Sequence, residues 1–158
     1  MNTTLKTGIA IGVACGVWIF VNGITGWYKD PVMVNLFFLV ILIEIGILVW
    51  GLKQSASEKS YGGQVITGTV ASVIAGVILF FNSLLFTIVL FPNFFNEVET
   101  MQVTMMKSEG KSDEEISKVI TEQKPNQTPM RSAMLGLVST VGTGLVASLV
   151  IAAFVRKK

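Results

Sequence analysis

The chain has no histidine and one cysteine, and only 14% of its 158 residues are charged. Without histidine there is no imidazole base, no Ser/His/Asp set and no histidine metal site. A lone cysteine, Cys15, forms no disulfide within the chain, and no Cys-x-x-Cys spacing exists. Paired carboxylates and a Gly-rich phosphate loop are also missing. Soluble domains carry about 25% charged residues, so the scarcity of charge places the chain outside that class. The expectation is a protein that is not an enzyme, with no catalytic residue, no metal, no cofactor and no nucleic-acid partner.

Four long apolar runs take the place of those features, at residues 8–28, 32–52, 65–91 and 133–155, uncharged except for Glu44. Each exceeds the roughly 18–20 residues that cross a hydrocarbon core of about 30 Å. A bilayer offers no water to the backbone, so each run must close its own hydrogen bonds as a helix. A β-barrel would need short alternating segments, and these runs are continuous. The expected fold is an all-α integral membrane protein, one domain over residues 1–158, with four transmembrane helices. The third run, 27 residues, makes a helix of about 40 Å; it must tilt, extend beyond the bilayer, or loosen near Asn82-Ser83. At the N-terminus, Gly12-Val13-Ala14-Cys15 loosely resembles a lipoprotein cleavage site. The apolar stretch before Cys15 is too short for a signal peptide and the run continues to Tyr28, so no cleavage is expected.

Positive charge sets the orientation. The N-terminus, the second connection and the C-terminus carry Lys6, Lys53, Lys59, Arg156, Lys157 and Lys158 against one acid, Glu58. The opposite side carries the Lys29-Asp30 turn and segment 92–132, with five basic and seven acidic residues. Both termini are therefore expected in the cytoplasm, and the protein in the inner membrane of a bacterium. Trp27 and Tyr28 at one boundary, and Trp50 and Tyr61 at the other, suit aromatic belts.

Segment 93–124 is too patterned for a disordered loop. Phe94, Val98, Met101 and Met105 recur at helical spacing between polar residues. Asn93 is placed to cap that helix and Gly110 to stop it. Ser112 and Glu115 form a capping-box signature ahead of Ile116, Val119 and Ile120, and Lys124-Pro125 ends the second piece. The run Asp113-Glu114-Glu115 compensates a helix dipole and lacks the spaced ligands of a calcium loop. An extracytoplasmic amphipathic hairpin follows. It covers the outer mouth of the bundle or lies on the membrane, or it docks a partner through Phe94, Val98, Met101 and Met105; methionine adapts to varied surfaces.

Small residues mark helix contacts. Gly8, Gly12 and Gly16 lie four apart, as do Gly68, Ser72 and Gly76, and then Ser132, Gly136, Thr140, Gly144, Ser148 and Ala152. Such stripes let backbones approach where lipid offers no hydrophobic gain. They pack helices within one bundle, or between copies of a homo-oligomer or against another membrane protein.

Glu44 lies near the middle of its run, within about 3 Å of the bilayer midplane. A charged acid there costs several kcal/mol, so it is expected to face the interior. A neutral carboxyl needs only hydrogen bonds, and Ser72, Asn82, Thr140, Thr143 and Ser148 are candidate partners. One reading is an interhelical hydrogen bond that stitches the bundle. Others are a site handling protons or cations, or a contact with a second subunit or a lipid headgroup. Transport pathways usually contain several intramembrane ionisable groups, and secondary transporters usually show repeats; neither feature is evident.

The basic N-terminus running into K-T-G-I-A-I-G-V, the entry Y-G-G-Q-V-I-T-G-T-V-A-S, the segment F-P-N-F-F-N-E-V-E-T-M, the G-K-S-D-E-E-I that follows it and the R-K-K tail together resemble domain-of-unknown-function family 4199. This family of small four-helix membrane proteins is frequent in Bacteroidota. The resemblance spans nearly the whole chain. It implies a bacterial inner-membrane protein with an extracytoplasmic helical insert and brings no catalytic residue. The expected function is that of a scaffold or accessory subunit, with a small transporter or channel component as the alternative.

Overall fold

The computed structural model describes residues 2–155. The Arg156-Lys157-Lys158 tail counted for orientation lies outside the described residues. Helix α1 (Thr3–Thr25) opens under the Asn2 side chain, whose Oδ1 accepts the Thr4 N–H at 3.1 Å, and closes on Gly26 at φ 71°. Asp30 then accepts the N–H groups of Val32 and Met33 at 2.8 and 3.0 Å. A 3-10 helix, Met33–Phe38, follows and runs directly into α2 (Leu39–Ser55). The second apolar run therefore starts tight, rising about 2.0 Å per residue instead of 1.5 Å.

Helix α3 (Tyr61–Leu84) starts on Ser60, whose Oγ accepts the Gly63 N–H. It widens into a π-helix at Leu85–Leu90, closed by Phe91 N–H to the Phe86 carbonyl at 2.8 Å. The long run therefore loosens a few residues beyond Asn82-Ser83. Helices α4 (Phe94–Ser108) and α5 (Asp113–Gln123) follow, then α6 (Pro129–Val155). Gly110, at φ 78°, ends α4 with Lys111 N–H reaching the Met106 carbonyl. Ser112 and Glu115 form the full capping box of α5. Asn93 occupies the N-cap position of α4 but makes no side-chain cap. No strand occurs among the described residues.

Four helical stretches, Thr3–Thr25, Met33–Ser55, Tyr61–Leu90 and Pro129–Val155, are long and apolar enough to cross a membrane, the pattern of a multi-pass membrane protein. Their outer faces are apolar too, from Val13 and Val17 to Phe81, Val146 and Phe154.

Glycine decides how they meet. A Cβ at Gly8 would lie 2.6 Å from the Ala71 carbonyl oxygen, one at Gly12 would lie 2.9 Å from Ile78, and Gly16 faces Asn82. The contacts advance together, so α1 and α3 are parallel. Along the other side of α3, Gly68 meets Ser148, Ser72 meets Gly144, and Gly76 meets Leu137 and Val141. These contacts advance in opposite directions, so α3 and α6 are antiparallel. Gly51 over Thr7, the Cys15 thiol at 3.7 Å from the Val40 carbonyl and the Trp18 indole at 3.1 Å from the Leu36 carbonyl set α2 antiparallel to α1. Both described ends of the chain thus lie at one end of the bundle, and α4 and α5 at the other.

The expectation that Gly136 packs against a helix of the same chain is corrected: nothing lies within 4 Å of its Cβ position. Residues four apart drift about 40° around an α-helix at each step, so a six-member stripe cannot keep one face toward α3. Gly144, Ser148 and Ala152 are buried, and Gly136 has rotated away. Gly144→Ala should accordingly lose about 1–3 kcal/mol through overpacking, seen as a lowered unfolding temperature in detergent. Gly142→Ala, where the added carbon meets nothing within 4 Å, should be neutral or slightly stabilising.

Candidate functional site

The inner face of α2 buries Glu44, Leu48, Gly51, Leu52 and Ser55. Glu44 is 5% exposed and sits where α2, α3 and α6 converge. The Ser72 hydroxyl donates to Glu44 Oε1 at 3.4 Å, at the long end of hydrogen bonding. Gly144 leaves the room: a Cβ there would stand 3.2 Å from the same carboxyl oxygen and would collide with the Ser72 side chain.

Ser72 is the only one of the five candidate partners with a hydrogen bond to Glu44 among the described residues. Asn82 lies ten residues further along α3, about 15 Å at 1.5 Å per residue, and its amide packs on Gly16 of α1. Ser148 is fully buried against Gly68 and its hydroxyl has no partner. Thr140 and Thr143 are half-buried and make no hydrogen bond to the carboxyl. Asn82 and Ser148 are thus set apart from the carboxyl by the rise along their helices, and Thr140 and Thr143 lie on less buried positions of α6. Among the described residues no three side chains of metal-ligating type converge. The arrangement can hold α2 in register; it presents one carboxyl and one hydroxyl.

The candidate docking face is also corrected. Phe94, Val98, Met101 and Met105 are half-buried or buried in the chain itself, with Met101 at 7% exposure. Phe94 stacks on Tyr28 and Phe86 with ring centroids 4.9 and 5.3 Å apart, and Phe86 stacks on Phe91 at 4.5 Å. Gly23 lies under the Phe86 and Phe91 rings, where a side chain would collide. An amphipathic helix buries its apolar face against the nearest apolar surface, here the end of its own bundle. Tyr28 belongs to this plug at 7% exposure, and not to an outward aromatic belt.

Charge completes the anchor. The Tyr28 hydroxyl donates to Glu97 Oε2, and Lys29 Nζ lies 2.9 Å from Glu97 Oε1. These two donors, Lys29 first, hold the Glu97 carboxyl below its ordinary pKa, and Glu97 holds the Lys29 ammonium above its own. The pattern left one buried polar pair unread: Gln64 is 0% exposed and its Oε1 accepts from Ser55 Oγ at 3.3 Å. The sign was a polar residue on the buried side of an apolar stretch.

A depressed carboxyl stabilises the anchored state fully above its ordinary pKa, and that contribution is lost as pH falls through the lower folded value. Hydrogen exchange along α4 should therefore accelerate as pH drops below the ordinary Glu value of 4.5, after correction for intrinsic rates. Glu97→Gln should show fast exchange already at neutral pH and little further change on acidification.

No curated protein and no solved structure matches the chain. Residues 6–157 match the family model described as Protein of unknown function (DUF4199), and the chain belongs to that family.

Proposed function

We propose that this is a non-enzymatic protein of a bacterial inner membrane, acting by assembly as a scaffold or accessory subunit. Its termini lie in the cytoplasm and α4 and α5 outside it. The observation that carries the reading is the contrast between the two outer helices. Helix α4 is fixed to the bundle by the aromatic plug and by Glu97, whereas α5 buries only Ile116. On the side opposite Ile116, the exposed Glu114, Lys118 and Glu122 stand four residues apart in one row. A charged row held at a fixed distance from the membrane suits a polar partner surface. The face of Phe94, Val98, Met101 and Met105 suits a partner less, being half-buried or buried in the chain itself.

The positive charge of Lys6, Lys53 and Lys59 at the opposite end supports the orientation. A membrane-impermeant amine cross-linker, applied to spheroplasts with an opened outer membrane, should join Lys118 to a discrete partner. Glu114→Lys combined with Glu122→Lys should abolish that product while leaving the protein folded. An unchanged product would defeat the docking reading, and no product in the wild type would defeat the orientation as well.

The competing reading, a small transporter or channel component, draws on the burial of Glu44 among three helices. Glu44→Gln keeps the contact with Ser72 and removes the titration. It should unfold within about 1 kcal/mol of the wild type, since the glutamine carbonyl still accepts from Ser72, and proton or sodium flux into proteoliposomes should not change. Flux that is present in the wild type and absent in Glu44→Gln would establish transport.

A further inference from the structure

At the bundle end that carries Asn2, a groove of about 270 Å³ opens between α1 and α3. Its rim is polar, from Thr4, Lys59 and Thr67, and its wall is apolar, from Ile66, Val70 and Ile74. The wall residues are four apart on α3 and descend about 12 Å into the span. Ile66 and Val70 are 65% and 44% exposed, so the groove is open sideways, toward lipid. Gly8 brings the two backbones together against Ala71 and Ile74 and closes the floor.

Lys59 does not extend away from the membrane. Its ammonium donates to Thr67 Oγ1 inside the groove, and that hydroxyl in turn donates to the Gly63 carbonyl at 2.8 Å. A lysine at a membrane boundary ordinarily directs its charge outward to water. Here it turns back along α3, toward the side where the headgroups lie. Its charge is also unmatched. All three ion pairs among the described residues, Lys29 with Glu97, Lys107 with Asp113 and Lys111 with Glu109, belong to the opposite end.

We infer that this groove is a binding site for an anionic phospholipid, with the phosphate at the Lys59 ammonium, which Thr67 holds in place, and an acyl chain along Ile66, Val70 and Ile74. A cation beside hydroxyls at the headgroup level, above an apolar channel between two helices, is the chemistry of lipid recognition at a membrane surface. A soluble anion would have no use for the apolar wall, and a zwitterionic lipid would bring its own cation to compete with Lys59. The site rests on the chain crossing a bilayer and is independent of the assembly role proposed for α5.

The test is thermal unfolding of the delipidated full chain in detergent with added phosphatidylglycerol, or with phosphatidylcholine of the same acyl chains. Phosphatidylglycerol should raise the unfolding temperature by roughly 3–5 °C more than phosphatidylcholine, the shift expected of a ligand near ten times its dissociation constant. Lys59→Gln should lose at least half of that difference, and so should Thr67→Val, which removes the hydroxyl that holds the ammonium in place. Lys53→Gln, at an exposed lysine near the same end, should keep it. Native mass spectrometry should show phosphatidylglycerol retained on the wild type and shed by Lys59→Gln. The site is excluded if the wild type has no preference, if Lys59→Gln and Thr67→Val keep it, or if Lys53→Gln loses it equally. Glycerol phosphate stabilising as much as the lipid would show that the ligand is a free anion.

Discussion

The structure depends on how closely α3 approaches its neighbours. On one side Gly8, Gly12 and Gly16 let α1 lie against it, and on the other its own Gly68 receives Ser148 while its Ser72 fills the space left by Gly144. Helices in lipid gain nothing by hiding apolar surface from water, so packing and hydrogen bonding must hold them together. Both improve as the backbones come closer. The alternation of glycine with serine on α3 and α6 provides closeness and hydroxyls at once, each hydroxyl resting on a position with no side chain. Helix α2 has fewer small residues and a span that is only 11% buried. It joins the bundle through Gly51 over Thr7, through the Cys15 and Trp18 contacts, and through Glu44.

This gives Glu44 a physical role that needs no chemistry. Leucine and isoleucine on α2 would pack acceptably in several registers against apolar neighbours. A carboxyl will not, because a shift of one helical turn would set it against aliphatic side chains at a cost of several kcal/mol. The slot between Ser72 and Gly144 is where the carboxyl finds both a donor and space. A buried polar residue that fixes register at some expense of stability is well attested in coiled coils, and the same logic applies here. The length of the bond, 3.4 Å, suits that role, since what matters is the penalty for every other register.

Long features were legible in the sequence and short-range geometry was not. Four apolar runs of twenty residues or more, with Glu44 their only charge, admit one solution in a bilayer, so the long apolar helices could be read directly, as could Gly110 as a helix stop and Ser112 with Glu115 as a helix start. The 3-10 entry at Met33–Phe38 and the π-helix at Leu85–Leu90 carry no comparable signature. Each depends on contacts made elsewhere: Leu36 accepts from Trp18, and Phe86 is drawn beneath Phe91 and Phe94. The apolar stripe of α4 was visible, but a stripe shows only that a face will be buried. Whether the covering surface belongs to the same chain is a tertiary fact, decided here by Tyr28, Phe86 and Glu97. For Glu44, residue type and depth were readable, and the choice of Ser72 over Ser148 turned on the register of α2 against α3 and α6.

The two ends of the bundle solve the problem of charge at a membrane boundary in opposite ways. At the α4 end three ion pairs form within the chain, and Glu97 serves as both counter-ion and acceptor for its neighbours. Pairing of this kind makes a fixed structural element, because the groups that could bind something else already bind each other. At the other end Lys6, Lys53 and Lys59 stand almost without acids. Excess positive charge there favours one orientation and attracts anionic headgroups. It can also be met by an exchangeable partner, since no internal bond must break first. The Lys59 ammonium, held by a neutral hydroxyl and not by a carboxylate, keeps its full charge available. A fixed contact thus forms where charges meet within the chain, and an exchangeable one can form where a cation is held by a hydroxyl alone.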